Sequence, residues 1–136
     1  MKRIKAKSGN NKNKISAEQP KVDYNKLPII FSLERLVNGD YCFSSLTGDD
    51  KQQFAESIFR RKNLTWDELM RADRHGLGTE KIYINSVKMP KPAFITDDIS
   101  AYLAIRYSGM KPMVGIRQKN IFYVLWFDHN FTLYSH

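Results

Sequence analysis

The sequence predicts an α+β fold: an antiparallel β-sheet with two helices packed on one face, preceded by an N-terminal β-hairpin. Three observations carry this expectation. Runs rich in β-branched and aromatic residues occupy both ends of residues 27–136. Between them the apolar period changes from that of a strand to that of a helix. Strands and helices are therefore segregated along the chain, which favours an antiparallel sheet over an alternating parallel one.

The elements follow in order. In PIIFSLERLVNGDYCFSSL, the pair Asn38-Gly39 lies between two strand-like runs, residues 29–37 and 40–46. Asn-Gly supplies the positive φ values of a tight turn, so a hairpin is expected there. In TGDDKQQFAESIFRRKN, Phe54, Ala55, Ile58 and Phe59 share one helical face. Asp49 and Asp50 suit its first turn and Arg60, Arg61 and Lys62 its last. In NLTWDELMRADRHG, Thr65 and Glu68 form a capping box. Trp66, Leu69 and Met70 make the apolar face, and Gly76 or Gly78 ends the helix. KIYINSV is a short strand with Ile82 and Ile84 on one side. ISAYLAIRYS favours a strand through Tyr102, Leu103, Ile105 and Tyr107. PMVGIRQ, IFYVLWFD and FTLYSH complete the sheet, joined at Lys119-Asn120 and at His129-Asn130.

Length and charge bound the function. The 136 residues suffice for one domain with a core. No apolar run approaches the roughly 18–20 residues of a membrane span. Net charge is +8, and residues 1–27 hold eight Lys/Arg against two Asp/Glu. Residues 1–26 are therefore expected to be a disordered basic tail, with a single domain over 27–136. A basic arm of this kind binds phosphate backbones without sequence preference. No apolar stretch follows the basic start, so no secretory signal is expected. Cys42 is the single cysteine, which excludes an intrachain disulfide and a cysteine-based zinc cluster. A reducing, cytoplasmic location is the simplest expectation.

No P-loop, G-x-S-x-G, H-E-x-x-H or dinucleotide fingerprint occurs. The three histidines lack carboxylates at ligand spacing, so neither a metal site nor a cofactor is expected. Cys42, within YCFS, reads as a buried structural thiol. What remains is a polar set on the C-terminal strands: Arg106, Lys111, Arg117, Asp128, His129, Tyr134 and His136. RNA cleavage without metal needs a base for the 2′-hydroxyl, cations for the phosphate and an acid for the leaving 5′-oxygen. These residue types fill those roles.

Strand geometry limits which of them can meet. With two-residue turns at both connections, Arg117 faces Phe122, on the side of Val124, Trp126 and Asp128. Tyr134 then faces Leu125, and His136 faces Tyr123, on the other side. Arg117 joins Tyr134 and His136 only through a bulge or register slip. Each residue also has an ordinary role to set against the catalytic one. Arg117 suits a solvated strand position and Tyr134 an edge aromatic. Asp128 and His129 suit a turn, and His75 a helix C-terminal cation.

The segments LTWDEL, HGLGTEKI, YLAIRYSGMKPMVGIR and IFYVLWFDHNFTLYSH together resemble a family of uncharacterised small bacterial and phage proteins, first noticed in mycoplasmas. The likeness spans residues 27–136, and its most specific part is VLWFD followed by FTLYSH. In outline the chain also resembles the RelE/ParE toxins: two helices on an antiparallel sheet, with Arg, Tyr and His on the last strands. The N-terminal hairpin is an addition to that outline. The RelE branch cleaves mRNA on the ribosome without metal. This resemblance implies a catalytic set of Tyr134, His136 and Arg117, with Arg106, Lys111 and His129 binding substrate. It implies RNA or the ribosome as target, an acidic antitoxin as partner, and a role in toxin–antitoxin systems or phage defence. The alternative is a non-catalytic nucleic-acid- or protein-binding module of a phage or mobile element.

Overall fold

Thr47 and Thr65 set where the two helices begin. Thr47 Oγ1 accepts the Asp50 N–H at 3.1 Å and opens α1, Gly48–Arg61. Thr65 Oγ1 accepts the Glu68 N–H, and the Glu68 carboxylate accepts the Thr65 N–H at 2.9 Å. This capping box opens α2, Trp66–Arg71. The coordinates are a computed structural model that describes residues 21–136. α2 has only 6 residues and stops well before Gly76. The chain turns back on itself there, and a Cβ at Gly78 would lie 2.1 Å from the Ala72 carbonyl oxygen.

Arg61 ties this turn to α1. It is fully buried, and it donates to the carbonyls of Leu77 at 2.9 Å, Ser57 at 3.1 Å and Gly76 at 3.4 Å. Burial, with the nearby Arg60 charge, lowers its pKa to about 10. Phe54 and Ile58 of α1 face the core as expected. Phe59 and Met70 do not: they are 67% and 50% exposed.

The strands are β1 (Ile30–Ser32), β2 (Thr79–Tyr83), β3 (Ala101–Ser108), β4 (Lys111–Gln118) and β5 (Ile121–Phe127). They form one sheet in the order β1-β5-β4-β3-β2. β1 runs parallel to β5, and the other pairs are antiparallel. The fold is α+β, with a mixed sheet rather than a purely antiparallel one.

Two expected elements are corrected. The N-terminal hairpin is absent, because residues 29–37 pair with β5 instead of with residues 40–46. Ile30 lies opposite Ile121 and Ser32 opposite Tyr123. Val37 continues along the same edge, donating to the Leu125 carbonyl at 3.1 Å, and Tyr41 accepts from Phe127 at 2.7 Å. The long apolar β5 offers more buried surface than a local hairpin, so the non-local pairing wins. Gly39 keeps its positive φ of 131°, but it opens a turn into a 3₁₀ helix, Phe43–Ser45. FTLYSH forms no strand either. It is a loop that inserts Leu133 and Tyr134 into the core. In KIYINSV the strand ends at Tyr83, and Ile84 begins a 3₁₀ turn.

The expected disordered tail of residues 1–26 lies mostly outside the described residues. Within them, Tyr24–Lys26 form a 3₁₀ turn, ahead of the expected domain start.

A β-bulge decides which side chains share a face. Val114 pairs with Trp126 but Gly115 pairs with Val124, so Leu125 is extra. Leu125 and Trp126 both enter one core, with Tyr102, Ile82, Val114, Leu133 and Tyr134. Val124 and Phe127 enter the other, beneath the helices, with Trp66, Leu69, Ile105 and Met113. The bulge needs glycine at 115, where a Cβ would lie 1.9 Å from the Tyr123 carbonyl oxygen. Both helices therefore cover one face, and loops and the C-terminal segment cover the other. No helix among the described residues is long and apolar enough to cross a membrane.

Candidate acid–base site

Asp128 is the first residue past β5, and the bulge turns it onto the face opposite the helices. It is fully buried. Its Oδ1 accepts the backbone N–H groups of Thr132 at 2.9 Å and Leu133 at 3.1 Å. Its Oδ2 meets His136 Nε2 at 2.7 Å. An ionised carboxylate only accepts, so His136 Nε2 carries the proton and Nδ1 is the free ring position.

Aromatic contacts hold the imidazole on both sides. Tyr134 stacks on it with ring centroids 4.1 Å apart, and Phe131 meets it edge-on at 5.1 Å. Tyr134 is 9% exposed. Burial pushes its phenol pKa well up. The charges of Glu80 and Asp128 push the same way, and Arg106 opposes them. The phenol therefore keeps its proton beside the imidazole.

Arg106 reaches this face from β3. Its guanidinium donates to His75 Nδ1 at 2.7 Å. Arg74 lies on the other side of the same ring, 3.3 Å from Nε2, and pairs with Glu80 at 3.2 Å. Glu80 sits on β2 opposite Ala104, diagonal to Arg106. His75 therefore lies beyond the end of α2, at Arg71, and its ring sits between Arg106 and Arg74.

The expected composite site is thus rearranged. Tyr134 and His136 are brought together, and Arg106 shares their face. Arg117 does not join them. It faces Phe122 across the ladder, as the two-residue turn predicts, and lies over the Trp66 ring at 4.3 Å on the helix side. Trp126 and Asp128, expected beside Arg117, are carried to the other face by the bulge. Lys111 is also elsewhere, paired with Asp50 at 2.9 Å. Burial opposes ionisation of Asp50, but hydrogen bonds from Lys111 and Ser108 overcome it and hold its pKa below the usual carboxylate range. His129 meets the Asp40 carbonyl at 2.8 Å and does not contact His136.

Asp128 has the turn role expected of it, and the His136 contact in addition. Glu80 and Phe131 escaped the sequence reading. Glu80 arrives through the β2–β3 pairing, and Phe131 has no pattern around it that marks it. Cys42 is half-buried rather than buried, and hydrogen bonds from Ser44 lower its pKa. Among the described residues no group of three or more His, Cys, Asp or Glu could hold a metal ion. Comparison of the chain with protein-family models, with curated proteins and with solved structures returned no match.

Proposed function

We propose that Asp128, His136, Tyr134 and Arg106 form a metal-independent acid–base site that cleaves RNA, as in a RelE-like toxin. The observation that supports this most is the 2.7 Å contact between His136 Nε2 and buried Asp128, beside stacked Tyr134. His136 Nδ1 takes the proton of a ribose 2′-hydroxyl. The 2′-oxygen attacks the adjacent phosphorus and the bond to the 5′-oxygen breaks. Tyr134 gives that oxygen a proton, and Arg106 faces the charge on the phosphoryl oxygens. The products are a 2′,3′-cyclic phosphate and a 5′-hydroxyl. The element order lends further support, since one strand and not a hairpin precedes the two helices. An acidic antitoxin, action on the ribosome, a place in phage defence and kinship with the small bacterial and phage family belong to the same proposal.

A separate observation favours a non-catalytic nucleic-acid-binding role. Arg117 over Trp66 and Lys119 over Tyr24 form a basic corner on the helix side. The basic residues 1–20 join the described chain a few positions before Tyr24.

Induced expression in a bacterial host separates the two. Wild type should arrest growth, and Tyr134→Phe/His136→Ala at matched abundance should not. The purified wild type should cleave RNA in the presence of a chelator. Equal growth of the two strains removes the catalytic assignment and leaves the basic corner as the functional surface.

A further inference from the structure

Phe131 is the one non-glycine residue besides Lys119 with positive φ among the described residues, at 59°. For a bulky aromatic residue this conformation is strained, and such strain persists where the surroundings impose it. The strain does not hide the ring, which is 43% exposed and lies perpendicular to the His136 ring. Phe131 therefore presents exposed aromatic surface next to the imidazole.

Two clefts meet beside it. One, of about 400 Å³, runs past Asn85, Lys88, Phe131 and Tyr134. The other, of about 380 Å³, is lined by Tyr41, Lys88, His129 and Asp40. Lys88 and Thr132 line both, so the two clefts adjoin, and together they make a groove beside residues 129–135. Its floor is fixed by the Lys88 N–H, which donates to the Leu133 carbonyl at 2.7 Å. The Lys88 side chain is exposed and makes no salt bridge among the described residues. Asp40 lines the second cleft, where its backbone carbonyl meets His129 Nε2 at 2.8 Å.

A cation common to both clefts, an exposed ring in one and hydrogen-bonding groups in both match a chain of alternating phosphates and planar bases. Stacking on an aromatic face with a nearby cation is how single strands are held without sequence preference. We propose that this groove binds single-stranded RNA, with one base stacked on Phe131 and the following phosphate on Lys88. The assignment rests on the RNA reading of the site and names its substrate path.

The test uses the full chain and a fluorescent single-stranded 2′-O-methyl oligonucleotide, whose blocked 2′-oxygen prevents cleavage. Binding is measured by anisotropy for wild type, Lys88→Gln and Phe131→Asn. Asn tolerates the positive φ, so the second variant removes the ring and keeps the backbone. Phe131→Asn should weaken binding about 10-fold. Lys88→Gln should reduce the salt slope by about 0.7. Both should keep the wild-type melting temperature. Wild-type affinity in both variants overturns the groove, as does a wild type that binds acidic peptide but no oligonucleotide. Cleavage of unmodified RNA is scored separately. Groove-dependent binding without cleavage keeps the groove and removes the catalytic reading. Cleavage unaffected by either variant does the reverse.

Discussion

Asp128 is a single residue on which two different structures depend. One carboxylate oxygen holds the loop through Thr132 and Leu133, and the other fixes His136. Asp128→Asn separates the roles. The amide oxygen can still accept both backbone N–H groups, but the amide nitrogen donates. His136 Nε2 must then accept, and the ring proton moves to Nδ1. The expected result is loss of RNA cleavage with a stability cost of only about 1–2 kcal/mol, and nitrogen NMR of the ring should show the changed tautomer. Tyr107 illustrates the opposite case. It is 1% exposed, and its hydroxyl has no hydrogen-bond partner. Burial and the charges of Asp50 and Asp128 push its pKa well up. Tyr107→Phe removes an unsatisfied buried group while keeping the ring against Phe127. It should raise stability by about 1 kcal/mol in urea unfolding.

Within the elements, β5 carries the most information. Its run IFYVLWF alternates for four residues, and then the bulge at Leu125 inverts the pattern. That inversion places Asp128 with His136 and leaves Arg117 on the helix face. Gly115 is the partner that permits it. Gly115→Ala puts a methyl against the Tyr123 carbonyl, and the ladder must open to admit it. The expected loss is about 3 kcal/mol or more of stability, with RNA cleavage falling even in the folded fraction as Asp128 is displaced. A melting curve paired with activity per folded molecule would check both. The helices are more local objects. The Thr65–Glu68 box is visible in the sequence and present in the structure, and Thr47 caps α1 just ahead of Asp49 and Asp50, the residues expected in its first turn.

For the whole molecule, stability should depend on acid through the tie between α1 and the β3–β4 turn. Asp50 is 3% exposed and accepts from Ser108 and Lys111. Its folded pKa lies below its unfolded one, so the ionised form favours folding. This contribution is complete at neutral pH and is lost as pH falls below about 4. Asp50→Asn should cost about 1–3 kcal/mol at neutral pH, and the gap to wild type should shrink towards pH 3. A gap that stays constant with pH would assign the cost to packing alone.

The sequence by itself determined the α+β class, both helix starts, the three strands β3 to β5 and the turn at Lys119-Asn120. These rest on local signals: period, capping side chains and two-residue turn chemistry. It grouped Arg117 with Tyr134 and His136 and left their shared face to the turn geometry; the structure sets Arg117 apart, over Trp66. Only the tertiary structure decided the rest. Residues 29–37 chose β5 over the nearer hairpin because burial against a long apolar strand outweighs an Asn-Gly turn. FTLYSH left the sheet because Leu133 and Tyr134 fill the core from a loop. Strand pairing brought His75 and Arg106 together, and the bulge put Asp128 against His136. A bulge depends on what lies across the ladder, which no single stretch of chain records.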